Sequence, residues 1–387
     1  MRLSRDRKAR RRLAALGAAG VVALAIGVAI GAGDGDGTER GGPPAEGARP
    51  SQRGRASAPA AELSLRQQVG QLLVSSFDGP QLPAYLRRRL RAGETAGVIL
   101  FGRNVASQSG VRQLTRSLQR AAGGAALVAT DQEGGEIRTL PFAGPPVAQP
   151  GQGDAAQVEE LARQSARQLR RAGVNVNLAP VADVSSGPAA LAGRSFAGGP
   201  DEVSLRIRGS VRGMRAARVA ATAKHFPGLG AASANTDDAP VTIEATREQL
   251  ESRDLAPFRA AVKERVPLVM AAHALYPALD GRRIASQSPA VMNDLLREWL
   301  GFRGVAVTDS IEAEAVLARS GVAEAGERAV DAGVDLVLLT GSASWNEVFP
   351  RLLERARDSA AFRKRVERSA ARVLELKRKL GLRRAGG

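Results

Sequence analysis

Residues 111–135 read VRQLTRSLQRAAGGAALVATDQEGG, and the order of patterns in this stretch decides the fold. Apolar residues three and four positions apart over Val111–Ala122 predict an amphipathic helix. The apolar run Ala126–Thr130 predicts a buried strand, and a polar segment starting at Asp131 follows it. Helices that alternate with short, fully apolar strands indicate a parallel α/β sheet.

The same alternation recurs from Leu63 onward and reaches eight strands. Helical periodicity is also clear in Asp154–Ala172, Arg247–Lys263 and Pro289–Leu300. We therefore predict an α/β fold, a (β/α)8 barrel of the TIM type, with an amphipathic basic helix over Ala360–Leu380 that closes the outer ring. The predicted strands are Gln71–Ser75, Gly97–Phe101, Ala126–Thr130, Val174–Ala179, Ala220–Lys224, Leu268–Ala272, Gly304–Thr308 and Asp335–Thr340.

An open, doubly wound sheet is the competing fold. Such a sheet normally carries a glycine-rich phosphate turn after its first strand. Here the first predicted strand leads into Phe77-Asp78-Gly79-Pro80, which does not match GxGxxG. The barrel is therefore favoured.

Three segments are predicted before the barrel, which spans residues 61–384. Residues 1–12 are strongly basic and residues 13–32 are uncharged and apolar, a pattern typical of a cytoplasmic end followed by a transmembrane signal anchor or a signal peptide. Residues 33–60 are rich in Gly, Pro, Ala and charge, and predict a flexible linker. The basic end places the barrel outside the cytoplasm, anchored or secreted.

The composition excludes several classes of function. The chain has 387 residues, 44% of them hydrophobic, and a formal net charge of +17. Much of the excess charge lies at the two ends without interleaved aromatic residues, so a nucleic-acid partner is not expected. The absence of cysteine excludes disulfides, thiolate metal sites and a cysteine nucleophile.

Polar residues follow nearly every predicted strand. Because the active sites of these barrels lie at the carboxyl ends of the strands, we expect these residues to meet at one mouth. Both histidines of the chain belong to this set. Its members are Asp131, Asp183, Lys224, His225, His273 and Asp309.

Three chemistries would use such a mouth. A hydrolytic metal site is disfavoured because neither HxH nor HExxH occurs, so no metal is expected. Lys224 offers an amine for a Schiff base, but the adjacent His225 and the nearby acids suit hydroxyl recognition better. Glycoside hydrolysis needs a carboxylate at the reacting carbon, a proton donor and groups that bind ring hydroxyls. Asp309 fits the first role, and the remaining set fits the third.

Five segments, in a fixed order, carry a resemblance to a known family. They are Asp131-Gln132-Glu133-Gly134-Gly135, Gly173-Val174-Asn175 through Ala179-Pro180-Val181-Ala182-Asp183-Val184, Arg194-Ser195-Phe196, Lys224-His225-Phe226-Pro227-Gly228, and Gly301-Phe302-Arg303-Gly304-Val305 through Thr308-Asp309-Ser310. They resemble glycoside hydrolase family 3, and within it the single-barrel β-N-acetylglucosaminidases that act on cell-wall sugars. The resemblance covers roughly residues 63–380.

The resemblance implies roles for individual residues and no cofactor. Asp309 matches the nucleophile that forms the covalent intermediate of a retaining mechanism. His273 matches a further position in the pocket. The positions that match residues gripping the hydroxyls of the terminal sugar are Asp131, Arg194, Lys224 and His225.

Two departures from the family pattern affect the predicted chemistry. The family's Asp-Ser-His element, whose His shuttles the proton, is replaced by Asn235-Thr236-Asp237, and an expected Arg is Thr139 with Arg138 beside it. One hypothesis is that Asp237 or Asp238 acts as the acid/base instead. The alternatives are a sugar-binding or scaffold barrel that has lost turnover, and a β-glycosidase for another hexose. The expected partner is a wall-type glycan containing N-acetylglucosamine, and the oligomeric state is not predicted.

Overall fold

The computed structural model describes residues 58–186 and 189–382. The predicted basic end, the predicted anchor at 13–32 and the linker up to residue 57 lie outside the described residues. The last residues assigned to the linker are helical, because Ala58–Ala61 form one short helical turn. In the described part of the chain, no helix has the length and apolar character needed to cross a membrane.

Eight parallel strands form a closed barrel, as predicted. Strands adjacent in sequence are adjacent in the ring, and the first strand pairs with the last through Leu73 and Val337, so the ring is complete. In chain order, β1 to β8 are Leu73–Ser75, Gly97–Leu100, Leu127–Thr130, Val176–Asn177, Ala220–Phe226, Leu268–Ala271, Val305–Ser310 and Leu336–Leu339.

The fourth strand differs most from the prediction, and the fifth and seventh each end two residues later than expected. Strand β4 is confined to two residues although Val174–Ala179 was expected. Beyond Asn177 the pairing with β5 continues irregularly, through hydrogen bonds from Thr222 N–H to Ala179 O and from Lys224 N–H to Pro180 O and an isolated bridge between Val181 and Lys224. Pro180 has no N–H to donate in return. Strand β5 continues two residues beyond Lys224, to Phe226.

Helices cover the outside of the barrel and match the predicted ones to within a few residues at their ends. Two of them contain π-helical stretches, Leu250–Asp254 and Ala290–Trp299. The remaining helices are Leu65–Gly70, Ala84–Ala92, Gln108–Ala121, Ala155–Ala172, Pro200–Ala216, Arg247–Gln249, Leu255–Lys263, Glu314–Leu317, Val322–Ala332, Trp345–Asp358 and Ala360–Lys379, with 3₁₀ turns at Gly102–Asn104, Gln149–Gly151 and Ala285–Gln287.

Alternating side chains divide the core into two parts. On β6, Leu268 and Met270 belong to the cluster inside the barrel, whereas Val269 packs with the layer under the helices. This alternation follows from the two-residue period of a strand. Leu376 and Leu380 of the final helical segment join the inner cluster and so close the amino-terminal end of the barrel.

Two hairpins, which the sequence did not predict, extend loops at the opposite end. The first pairs Gln132–Gly134 with Ile137–Arg138 directly after β3. The second pairs Leu275–Tyr276 with Asp280–Ile284 after β6. Both follow the carboxyl end of a strand, where such barrels place their chemistry.

A buried carboxylate joins the last two strands to the helices around them. Asp335 is fully buried and forms ion pairs with Arg297, with Arg365 at 3.2 Å and with Arg372 at 2.9 Å. Its Oδ2 also accepts a hydrogen bond from the backbone N–H of Ala306 on β7, at 3.0 Å. Burial would raise the pKa of Asp335, but the three guanidinium groups outweigh burial and hold the pKa far below its ordinary value.

We expect Asp335→Asn to lower the free energy of unfolding by about 3–5 kcal/mol, because three guanidinium groups would lose their shared counter-charge in the interior. Urea denaturation followed by circular dichroism measures the change. The matched control is Asp331→Asn, at an exposed aspartate on the neighbouring helix, with an expected change within about 0.5 kcal/mol. Equal stability of the two variants would contradict the assigned role of Asp335.

Candidate active site

A cavity of about 740 Å³ opens at the carboxyl ends of the strands. Its floor includes inward-facing strand residues such as Leu178 and Met270, and its wall includes the first hairpin. A volume of this size is typical of small-ligand sites. Six of the seven residues predicted for the site line it, namely Asp131, Arg194, Lys224, His225, Asp237 and Asp309.

Two cations and two carboxylates interlock on one side of the cavity. Lys224 Nζ lies 2.8 Å from Asp131 Oδ1 and 2.7 Å from Glu133 Oε1. Arg194 donates to the same Glu133 twice, from Nε at 3.0 Å and from Nη2 at 2.7 Å. Glu133 therefore holds both cations in fixed positions. Fixed donors and acceptors of this kind suit the hydroxyls of a sugar ring.

The ion pairs keep these groups charged. Burial would raise the pKa of Glu133, but Lys224 and Arg194 outweigh burial and lower the pKa to about 2. Burial would likewise lower the pKa of Lys224, yet Asp131 and Glu133 raise it above its ordinary value. The cluster therefore presents the same pattern of charge across the physiological range of pH.

A buried carboxylate behind the cavity orients His225. Asp183 Oδ2 lies 2.7 Å from His225 Nδ1, and its Oδ1 accepts from the backbone N–H groups of His225 and Leu229. A carboxylate accepts this bond from a protonated Nδ1, which leaves Nε2 on the cavity side. Nε2 is 3.7 Å from Asp309 Oδ2.

Asp309 stands near the end of β7, with its side chain 20% exposed to the cavity. Its Oδ1 accepts a hydrogen bond from the backbone N–H of Ser310 at 2.8 Å. Burial would raise the pKa of Asp309, but the two histidines and Lys224 outweigh burial and lower it. Asp309 is therefore ionised at neutral pH.

Asp237 faces Asp309 from the loop after β5. The loop is held by backbone hydrogen bonds from Glu314 N–H to Asp237 O, 3.2 Å, and from Ala315 N–H to Thr236 O, 3.1 Å. Burial and the charge of Asp309 raise the pKa of Asp237 above the ordinary aspartate value. Asp237 lines the cavity and Asp238 does not, so the geometry favours Asp237 of the two candidates.

His273 is the one predicted site residue that does not line the cavity. It is fully buried, and its Nδ1 is 2.8 Å from Ser286 Oγ. Burial lowers its pKa. The structure therefore gives His273 no surface for direct contact with a sugar in this cavity, and its predicted substrate-binding role stays a prediction.

Residues 64–376 match the family model described as the glycosyl hydrolase family 3 N terminal domain. The chain belongs to glycosyl hydrolase family 3.

Named relatives in this family align over most of the chain. A β-hexosaminidase of Stenotrophomonas maltophilia strain R551-3 is 33% identical over 300 residues, which are 75% of this chain and 89% of that protein. The solved family 3 β-N-acetylglucosaminidase of Paenibacillus sp. FPU-7 has a TM-score of 0.79 and 35% identity, over 84% of this chain and 64% of that one. The β-N-acetylhexosaminidase of Beutenbergia cavernae has a TM-score of 0.75 and 31% identity, over 82% of this chain and 99% of that one.

The structure of this family 3 barrel adds residues that sequence reasoning did not assign. Glu133 stands in the quoted motif, but its partner Arg194 is 61 positions away, so no local pattern reveals the pair. Glu312 lines the cavity, with Oε2 accepting from the backbone N–H and the hydroxyl of Thr340, both at 2.9 Å. Arg138 and Thr139, noted as a departure from the family pattern, both line the wall.

We expect Glu133→Gln to lower the free energy of unfolding by about 3 kcal/mol at pH 7, because Lys224 and Arg194 would lose the carboxylate that they share. The folded pKa of Glu133, about 2, lies below its unfolded value, so its contribution is present at neutral pH. The contribution is lost as pH falls from about 4 toward 2. Urea denaturation at several pH values checks both expectations.

The control for this prediction is Glu136→Gln, at an exposed position beside the same cavity. It should change stability by less than about 0.5 kcal/mol. A difference between Glu133→Gln and wild type that did not shrink with falling pH would exclude the ion-pair explanation.

Proposed function

We propose that this family 3 glycosidase is a retaining β-N-acetylhexosaminidase that uses Asp309 as nucleophile and Asp237 as acid/base. One observation carries the proposal. Asp237 and Asp309 face one cavity, and the protein lowers the pKa of Asp309 while it raises that of Asp237. Opposite shifts of this kind divide two carboxyl groups into an ionised nucleophile and a protonated acid.

The reaction follows from these two states. Asp309 attacks the anomeric carbon while the bond from this carbon to the leaving oxygen breaks, and the proton of Asp237 passes to that oxygen. A covalent glycosyl intermediate results. Water then attacks the same carbon, gives its proton to Asp237 and releases the Asp309 carboxylate. Two displacements retain the configuration of the sugar.

The charged cluster positions the sugar for this attack. Asp131 accepts hydrogen bonds from hydroxyls, and Lys224 and Arg194 donate to them, while Glu133 keeps both cations in place. Holding the ring in one orientation lowers the entropic part of the barrier. His225, oriented by Asp183, contributes its Nε2 beside Asp309.

The proposed substrate is a glycan with a terminal, β-linked N-acetylglucosamine, of the kind found in cell walls. Support comes from relatives named β-hexosaminidase and β-N-acetylglucosaminidase that align over the barrel. The proposed location is outside the cytoplasm, at the membrane or secreted, on the basis of the basic and apolar pattern of residues 1–32. The basic surface of the chain suits an anionic wall.

With an aryl β-N-acetylglucosaminide, Asp309→Asn should reduce kcat/KM about a thousandfold or more, because the attacking carboxylate is lost. The exposed Asp238→Asn is the matched control and should keep wild-type activity. The matching aryl β-glucoside should be a much poorer substrate of the wild-type enzyme. Activity on the glucoside and not on the N-acetylglucosaminide would mean that the enzyme acts on another hexose. The absence of turnover on any aryl β-glycoside would favour the sugar-binding alternative.

Asp237→Asn should lower kcat/KM about a hundredfold or more with a poor leaving group, and much less with dinitrophenol, which leaves without protonation. Asp237 must be protonated in the first step, and its pKa is raised. Activity in the wild type should therefore fall on the alkaline side as Asp237 loses its proton, and this limb should be absent in the variant. The pH profile of kcat/KM measures it, and an unchanged alkaline limb would assign the acid to another group.

A further inference from the structure

A second, basic concavity lies at the amino-terminal end of the barrel, opposite the active site. It consists of a cavity of about 710 Å³ and a neighbouring one of about 390 Å³, which share Arg265, Pro267, Leu376 and Lys379. We call the two together the basal groove. Its floor is apolar, and its rim carries charged side chains from the loops before β5, β6 and β7 and from the final helix.

A row of arginines without acidic partners borders the basal groove. Arg218, Arg265 and Arg303 are exposed and precede three consecutive strands by two or three residues. In the part of the chain that the structure describes, none of the three forms an ion pair with a carboxylate. The two acids of the rim, Glu264 and Glu375, already pair with other basic residues. The groove is therefore strongly positive.

Two of these arginines occupy backbone conformations that normally favour glycine. Arg218 has φ +56° and Arg265 has φ +60°, and they are the only non-glycine residues with positive φ among those described. Both stand directly after the cap of a helix, in Schellman turns closed by the bonds Val219 N–H to Met214 O and Val266 N–H to Ala261 O. After other helices of the barrel this conformation is taken by glycine, as at Gly93 and Gly173.

An arginine at such a turn is less favourable than glycine, because its Cβ crowds the backbone. Arginine occupies such a turn twice, both times at the rim of the basal groove. Strained residues of this kind cluster at sites where the side chain has a function. The strain and the missing acidic partners therefore point to the same conclusion, that these guanidinium groups bind an anion.

We propose that the basal groove binds a flexible polyanionic chain whose charges are phosphodiesters. Guanidinium groups match phosphate oxygens through paired hydrogen bonds, and a row of them along a groove suits repeated charges on one chain. The groove is concave, which fits a chain better than a flat bilayer. The only aromatic residue in its lining, Phe302, is buried, so the groove lacks the exposed rings that stack nucleic-acid bases.

The position of the groove gives this binding a consequence for the enzyme. Ala220, the first residue of β5, borders the basal groove, and His225, near the end of β5, lines the active site. The two sites therefore lie at opposite ends of one strand. A chain held in the groove would leave the active-site mouth open and directed away from it. Binding in the groove is independent of the proposed hexosaminidase activity.

The full chain in detergent solution would be titrated with poly(glycerol phosphate) of defined length and followed by calorimetry. In the triple variant Arg218→Gln, Arg265→Gln and Arg303→Gln, we expect binding to weaken about tenfold or more and to depend less steeply on salt. The matched control replaces Arg87, Arg88 and Arg91, three exposed arginines on the opposite side of the ring, with Gln. An equal loss of affinity in the groove variant and in the control variant would show that binding depends only on net charge, and would overturn the proposal.

The double variant Arg218→Gly and Arg265→Gly separates binding from folding. Glycine suits both turns, so this variant should resist urea at least as well as wild type while it binds the polymer more weakly. The triple glutamine variant and the double glycine variant should both keep wild-type kcat/KM on an aryl glycoside, since neither changes the active site. Unchanged polymer binding in the glycine variant would overturn the proposal.

Three further titrations test the chemistry of the ligand. Poly-L-glutamate should bind more weakly than poly(glycerol phosphate), and so should a single-stranded oligonucleotide. Vesicles containing phosphatidylglycerol should bind the triple arginine variant and the wild type equally. Preference for the glutamate chain, or arginine-dependent binding to the vesicles, would overturn the phosphodiester-chain assignment. Preference for the oligonucleotide would keep the phosphodiester charges but overturn the assignment to a chain without bases.

Discussion

The parallel pairing of β1 with β8 closes the sheet, and the arrangement of both functional regions follows from that closure. In a closed parallel ring every strand points the same way, so all carboxyl ends meet at one rim and all amino ends at the other. Asp131, Lys224 and Asp309 are distant in sequence, yet each stands at the end of a strand and the ring brings them together. The same geometry places the arginines before β5, β6 and β7 side by side at the other rim.

Much of this could be predicted from the sequence. Short apolar runs separated by helical periodicity indicated eight strands, and the position of polar residues after those strands indicated the site. The prediction was weaker for features that depend on contacts between residues far apart in the sequence. Strand β4 is regular over only two residues, although the predicted strand covers Val174–Ala179. Asp335 stands where a strand begins, and its structural role follows from arginines that lie 30 and more residues away in the sequence. The complete burial of His273 depends on the packing around it, which no periodicity encodes.

Buried charge is used differently at the mouth and at the base of the barrel. Glu133 and Asp335 are both inaccessible carboxylates that each join several cations, and in both cases the cations come from other elements of the fold. At the mouth the remaining hydrogen-bonding capacity of Lys224 and Arg194 faces the cavity and is available to a ligand. Around Asp335 that capacity is directed into the protein, where Arg365 also donates to the backbone carbonyls of Val330 and Val334. The Glu133 network binds a ligand, and the Asp335 network stabilises the packing of the last two strands against their helices.

The Asp335 network also bears on the order in which the chain acquires its structure during synthesis. Arg365 and Arg372 are made 30 and 37 residues after Asp335, so they are still inside the ribosome or its exit tunnel when β8 first emerges. Until they appear, the carboxylate of Asp335 has only Arg297 as a counter-charge, and the base of the barrel lacks Leu376 and Leu380. The ring therefore cannot reach its final stability before the last helix is released.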